Sequence, residues 1–169
     1  MKIFKRIAVF LLVILIGMQF IRPEKNIASA QFPNNIATAF SLPDSVSNIL
    51  KKSCYDCHSN NTQYPWYSSF QPVSGWLNHH IEEGKDEVNF DEFATYKIGR
   101  QYRKLLEIKE QMEKDEMPLS SYTLIHKNAK LNEGEKKLLI NWAESGRRML
   151  RVKYPADSLV TKRQPQLVD

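Results

Sequence analysis

The two cysteines of the chain stand three residues apart, and a histidine follows the second directly: Cys54, Tyr55, Asp56, Cys57, His58. Thiols and imidazoles bind soft and borderline metals, exchange disulfides or form thioethers. Three chemistries therefore suit this pentapeptide. A disulfide between Cys54 and Cys57 would close so small a loop that it would restrain the unfolded chain very little. A redox pair of that spacing belongs to a βαβ setting, and nothing in the sequence reads as such a sheet. A zinc site needs four ligands, often as two spaced pairs; His58, His79, His80 and His126 are on hand, but none completes a second pair at finger-like spacing. The third chemistry is a covalent haem. C-x-x-C-H is the attachment pattern of haem c: Cys54 and Cys57 would bond the two vinyl groups of one porphyrin edge, and His58 would be the proximal ligand of the iron. This reading accounts for all three side chains at once and implies one haem.

A haem iron has a second face. Met117, in the stretch EMPLSS, is the first candidate for its distal ligand. A thioether is a soft ligand that suits haem iron and raises its potential. Most methionines fill cores, but Asp115, Glu116 and Ser120 make the surroundings of Met117 polar. Met112 falls on the apolar face of a predicted helix and is the weaker candidate. His80, or its neighbour His79, is the alternative distal ligand; one of the two is expected to face inward with Trp76 and the other to face solvent. His126 reads as a surface or capping residue.

The elements that must position these residues are helical. Val46, Ile49, Leu50 and Ser53 recur at helical spacing after Asp44, so a helix runs into the cysteine motif. Residues 59–73 form a turn-rich loop carrying Tyr64, Trp66, Tyr67 and Phe70, which with Trp76 and Trp142 are expected to wrap a porphyrin. A second helix fits SGWLNHHIEEG, stopping at Gly84. A third fits residues 92–114, with Ile98, Tyr102, Leu105, Ile108 and Met112 on its apolar face. Pro118 forces the chain out of helix at Met117. Asn132 and Glu135 have the spacing of a capping box, and the helix behind them is expected to run to Gly146 with Leu138, Leu139 and Trp142 inward. No segment alternates like a strand, and the fold class is all-α.

Composition agrees with a folded domain, since 42% of the residues are hydrophobic and 25% charged. The net charge of +5 resides at the two ends. Residues 1–30 carry five basic residues and one acidic, and residues 147–169 carry six and two, whereas residues 31–146 carry 13 and 16. A mildly acidic middle of mixed sign excludes a nucleic-acid surface, which needs clustered cations. At the N-terminus, Lys2, Lys5 and Arg6 precede the apolar run 7–21, broken only by Gln19. That is an export or anchoring segment, with the lipid bilayer as its partner through residues 3–21. The positive flank stays in the cytoplasm and the domain is exported. An uncleaved single-pass anchor in the inner membrane, with the domain on the periplasmic side, is favoured because Arg22, Glu24 and Lys25 intrude before the cleavage-like Ala28-Ser29-Ala30. The alternative is a soluble periplasmic protein cleaved near Ala30. The expected organisation is thus an anchor at 1–24, a linker at 25–43, a haem-binding domain at 44–146 and a basic, partly disordered tail at 147–169.

The chain from about 40 to 146 resembles the small bacterial haem-binding domain proteins, relatives of single-haem class I cytochromes c. The resemblance rests on CYDCHSNNTQYPWYSSFQPVSGWL, on HIEEGKDEVNF, on EMPLSSYTLIHKNAKLNEGEKKLLINWA, and on the anchor followed by FIRPEKN. It implies a small cytochrome c-like helical domain around one haem, thioethers at Cys54 and Cys57, His58 as proximal ligand and Met117 as distal ligand. Where the family often has a second proline after Met-Pro, this chain has Leu119. The function these features imply is single-haem electron transfer by a membrane-tethered, exported protein serving a membrane redox partner, a carrier rather than a catalyst. The alternative is a haem-based ligand sensor or peroxidase-like enzyme with a labile sixth site. A haem-storage role fits poorly, because covalent haem is not released.

Overall fold

A computed structural model describes residues 2–28 and 31–160. Its described residues are helical, apart from one isolated antiparallel bridge between Ile27 and Asn61. The α-helices are α1 (Lys2–Met18), α2 (Ile36–Ala39), α3 (Asp44–Ser53), α4 (Tyr55–His58), α5 (Val73–Glu87), α6 (Ile98–Glu113), α7 (Ser120–Ile125) and α8 (Glu133–Lys153). Short 3-10 turns lie at Trp66–Ser69, Phe93–Thr95, Lys127–Ala129 and Ala156–Leu159. The chain divides into two compact units. The first is Met1–Ala30 with Asp56–Asn89, and the second is Gln31–Tyr55 with Phe90–Asp169.

The second unit is organised on α6 and α8. Tyr102 meets Arg147 and Arg151 while Lys109 meets Glu144, so the two helices run antiparallel. Leu105, Met112, Leu139, Trp142, Ala143 and Leu150 are buried there. Helix α3 adds Val46, Ile49 and Leu50 to this core. At the start of α8, Asn132 and Glu135 form the expected capping box, each side chain bonding the other residue's backbone N–H. Leu138 does not point inward as expected; it is exposed, because its neighbour Leu139 takes the buried face.

Several expected boundaries move, for identifiable reasons. Helix α8 does not stop at Gly146 but continues to Lys153. Gly146 is a close-packing position: a methyl group there would lie 3.0 Å from Leu105 Cδ1 and 3.2 Å from a Phe40 ring carbon. Residues 147–153 are therefore helix rather than tail, and residues 161–169 lie outside the described residues. Helix α6 begins at Ile98, after a 3-10 turn at Phe93–Thr95 whose Phe93 is core. The stretch read as a linker is largely part of the fold: in the second unit Ile36 and Phe40 are buried, and Phe40 meets Phe93 edge-on. Their polar, proline-bearing surroundings hide two core residues from a composition-based reading.

In the first unit, α5 packs on the Trp66–Ser69 turn. Here too a glycine was misplaced as a stop, since α5 passes through Gly84 to Glu87. Helix α1 is 17 residues long and none of its residues is buried. Among the described residues no helix is long and apolar enough to cross a membrane. Of the cleavage-like triplet, Ser29 and Ala30 lie outside the described residues.

Candidate functional site

The pentapeptide begins where α3 ends. Cys54 caps that helix, its N–H donating to the Leu50 carbonyl at 2.9 Å. Within the second unit α3 is fixed at this end by Ser53, whose hydroxyl donates to the Ala129 carbonyl at 2.8 Å. Tyr55 stacks on Phe90 with ring centroids 5.5 Å apart. Burial, then the charge of Asp91, pushes its phenol up to about 12. One helical turn, Tyr55–His58, then delivers Cys57 and His58.

In the first unit His58 is held by the end of α5. Its Nδ1 lies 2.7 Å from the Gly84 carbonyl oxygen and 3.0 Å from that of Val88. Carbonyls only accept, so Nδ1 carries the proton and donates it. The lone pair then belongs to Nε2, across the ring. An N–H fixed in this way is the usual support of a metal-binding histidine: it sets the tautomer and orientation and makes the other nitrogen a better donor. The carbonyls lie at a helix C-terminus, the negative end of the helix dipole, which reinforces that effect.

The close approach of α4 to α5 depends on Gly84. A methyl group there would sit 2.7 Å from the Cys57 carbonyl oxygen and 3.1 Å from Cys57 Cβ. Real side chains do not approach backbone so closely, so only glycine leaves room for α4.

The loop after His58 is tied down by polar contacts within the same unit. The Thr62 hydroxyl donates to the Asp56 carbonyl at 2.6 Å, and the Gln63 N–H donates to the Asp56 carboxylate at 3.2 Å. Asn26 reaches in from the chain beyond α1. Its Nδ2 donates to the Ser59 carbonyl at 2.8 Å and to Thr62 Oγ1 at 2.9 Å, while its Oδ1 accepts from Lys85 at 2.7 Å. Backbone bonds from Thr62 to Asn26 and from Ala28 to Asn60 flank the bridge at Ile27. Sequence reasoning passed over Asn26, Thr62, Gly84 and Val88. The run HIEEG contains Gly84, but what it contacts is 27 residues earlier.

Both cysteines are thiols and half-buried. Burial, helped by the nearby Asp56 carboxylate, pushes the Cys57 thiol up to about 11. A thiol in that state is a poor disulfide-exchange nucleophile at neutral pH, the reverse of what a redox C-x-x-C requires. Among the described residues no group of three or more His, Cys, Asp or Glu side chains could hold a metal ion, so no zinc cluster forms around the thiols. A haem asks less: two thiols and one correctly presented imidazole. The donor set and the fixed tautomer of His58 fit it.

The other candidates are placed as follows. Met117 lies in the second unit, half-buried, between α6 and α7. Asp115 enters the left-handed region at φ 57°, and the Glu116 N–H reaches back to the Gln111 carbonyl at 3.1 Å. This helix-ending turn, with Asp in the role usually taken by glycine, aims the Met117 loop. Met112 is buried in the core, as its helical spacing implies. His80 is half-buried, edge-on to Trp76 at 4.5 Å, with Nδ1 3.2 Å from Glu83. His79 is exposed. His126 caps α7 and stacks on Tyr122 at 4.3 Å. The aromatic residues divide. Trp142 is core in the second unit, its indole donating to the Ser41 carbonyl at 3.0 Å, whereas Trp66 is 80% exposed and Phe70 56%.

Residues 13–145 match the family described as the haem-binding domain. The match covers most of the chain and the whole site, and the protein belongs to that family. No curated protein and no solved structure matches it. The protein is thus a haem-binding protein.

Proposed function

We propose that the protein is a membrane-tethered, exported haem c protein that passes one electron at a time, with thioethers at Cys54 and Cys57 and with His58 and Met117 as axial ligands. Haem, when bound, supplies an iron that changes oxidation state by one electron. The observation that carries the reading is the Nδ1–H of His58, pinned to two carbonyls directly after two thiols at attachment spacing. His58 would hold its ring orientation in both oxidation states, because the carbonyls that orient it belong to the backbone of α5 at Gly84 and of its capping residue Val88. Met117 would complete the ligand set and raise the potential, while the electron-rich His58 would lower it.

Two observations support an uncleaved anchor. Beyond Met18, three successive i to i−3 backbone bonds carry the helical path through Ile21. The 17 residues of α1 and this turn make roughly 31 Å, at about 1.5 and 2.0 Å per residue, which matches a hydrocarbon core of about 30 Å only with the side chains of Lys2, Lys5 and Arg6 snorkelling to the surface. Cleavage near Ala30 would also remove Asn26, with its bonds to Ser59 and Thr62 beside the haem motif. The tether would confine the carrier to a membrane redox partner and raise its effective concentration there.

The test is spectroscopic. Haem should stay with the polypeptide through acid-organic extraction, and its complete loss would overturn the attachment. The oxidised protein should show the near-infrared sulfur-to-iron band, and Met117→Ala should abolish it, open the reduced protein to carbon monoxide and lower the potential. His80→Ala should leave the spectrum nearly unchanged. Conversion to a high-spin form by His80→Ala would instead assign the distal position to His80.

A further inference from the structure

Beyond Ile21, the exposed Trp and Phe side chains among the described residues of the first unit are Trp66, Phe70 and Trp76. Trp66 is 80% exposed, and Phe70 and Val73 follow it on the same turn and the start of α5. Trp66 and Phe70 meet edge-on at 6.2 Å. Exposed Trp and Phe side by side form an apolar patch that solvent-facing surfaces normally avoid.

The patch is bonded to the end of α1. Gln19 Nε2 donates to the Gln71 carbonyl at 3.2 Å, and the Gln71 N–H donates back to Gln19 Oε1 at 3.0 Å. The Gln71 side chain then donates to the Ile21 carbonyl at 2.7 Å. Phe70 and the last turn of the apolar helix are thus one amide apart. Phe20 and Ile21, at that junction, are also largely exposed. Arg22 and Lys25 follow at once and are exposed cations.

We propose that Trp66 and Phe70 are an interfacial shelf that seats the first unit on the bilayer surface at the point where α1 leaves it. The proposal rests on α1 entering the membrane. The occupant follows from continuity: a surface tied to the last turn of an inserted helix lies at the level of the lipid headgroups. Tryptophan suits that level, because it pairs an apolar body with a polar N–H. Arg22 and Lys25 complement anionic headgroups at the same height. The shelf has a consequence for the site. The Trp66–Ser69 turn packs on α5, and Gly84 of α5 and Val88 just after it supply the carbonyls that orient His58. Seating the turn fixes His58 relative to the bilayer within one unit, where a flexible tether would leave it to swing.

The test is photocrosslinking of the full-length holoprotein in vesicles of phosphatidylcholine with phosphatidylglycerol. Benzoylphenylalanine is placed at position 10, inside α1, or at position 66. Position 10 should label lipid if α1 is inserted. Position 66 should label lipid too, and Gln19→Ala, which removes both bonds to the Gln71 backbone, should weaken that labelling by about 2- to 10-fold for each hydrogen bond lost, without changing position 10. Labelling at position 10 but not at 66 would overturn the shelf and leave the anchor standing. Labelling at neither would overturn both. Labelling of position 66 that is indifferent to Gln19→Ala would overturn the amide coupling on which the shelf depends.

Discussion

The two units are built by different means. The second buries Ile36, Phe40, Leu50, Phe93, Leu105 and Leu139 almost completely. The first buries only Ile81 and Val88 among its described apolar residues, and it fixes its site with hydrogen bonds that converge on Asn26, Thr62 and His58. Burial of apolar area is non-directional and tolerant of detail, whereas hydrogen bonds specify angle and distance. A core that only has to keep its helices together can rely on the former. A unit that must present one nitrogen of His58 needs the latter. The contrast predicts that mutations in the apolar core of the second unit, away from Cys54 and Met117, lower stability and leave haem binding alone, and that mutations of the hydrogen-bonded residues of the first unit disturb the haem itself.

Leu139→Ala, in the core beside α6, should have the largest effect on stability, about 2–5 kcal/mol, read by thermal unfolding. The haem bound per chain should be unchanged. If haem incorporation fell in proportion to stability, the division of labour would be disproved.

The two glycines sharpen the contrast. Gly84→Ala forces a methyl against the Cys57 carbonyl, which is backbone and cannot turn aside. A cost of about 1–3 kcal/mol is expected, with a clear loss of haem attachment and a shifted absorption spectrum. Gly146→Ala meets only the side chains of Leu105 and Phe40. It should cost no more, because rotamers adjust, and the haem spectrum should not move.

Asn26→Ala removes the donor to the Ser59 carbonyl and to Thr62, and the acceptor for Lys85. Stability should drop by about 1–3 kcal/mol, as for buried groups left unsatisfied. The loop after His58 should exchange its amide hydrogens faster, and hydrogen exchange by mass spectrometry would resolve this.

The smallest effect belongs to pH. A hydrogen bond from Lys52, then one from the Asn132 N–H, holds the Glu135 carboxyl below the ordinary carboxylate range. A depressed folded-state value stabilises fully above the unfolded value, and the contribution is lost as pH falls through the folded value. Acidification should therefore weaken the start of α8. Glu135→Gln should flatten that part of the stability profile.

Much of this architecture was legible in the sequence. The haem motif, the helix that runs into it, the exit from helix before Pro118 and the capping box at Asn132 all follow from rules that act within about four residues. Such rules need no knowledge of what lies across the fold. The glycines show where they stop. Gly84 and Gly146 both read as helix ends, because a local rule associates glycine with the C-cap, yet both lie inside helices. Each is glycine because another segment approaches it: Cys57, from 27 residues away, at Gly84, and Phe40, from 106 residues away, at Gly146. Asn26 and Ile36 were hidden for the same reason, lying in a stretch whose prolines and polar residues describe a linker until their partners are in place. The sequence by itself singled out the thiols and imidazole whose chemistry suits a haem and located α3, α5, α6 and α8, but not α2 or α7. Tertiary structure alone decided which nitrogen of His58 carries the proton, since that depends on carbonyls 26 and 30 residues away, brought to hydrogen-bonding distance by a helix that only a missing side chain lets so close.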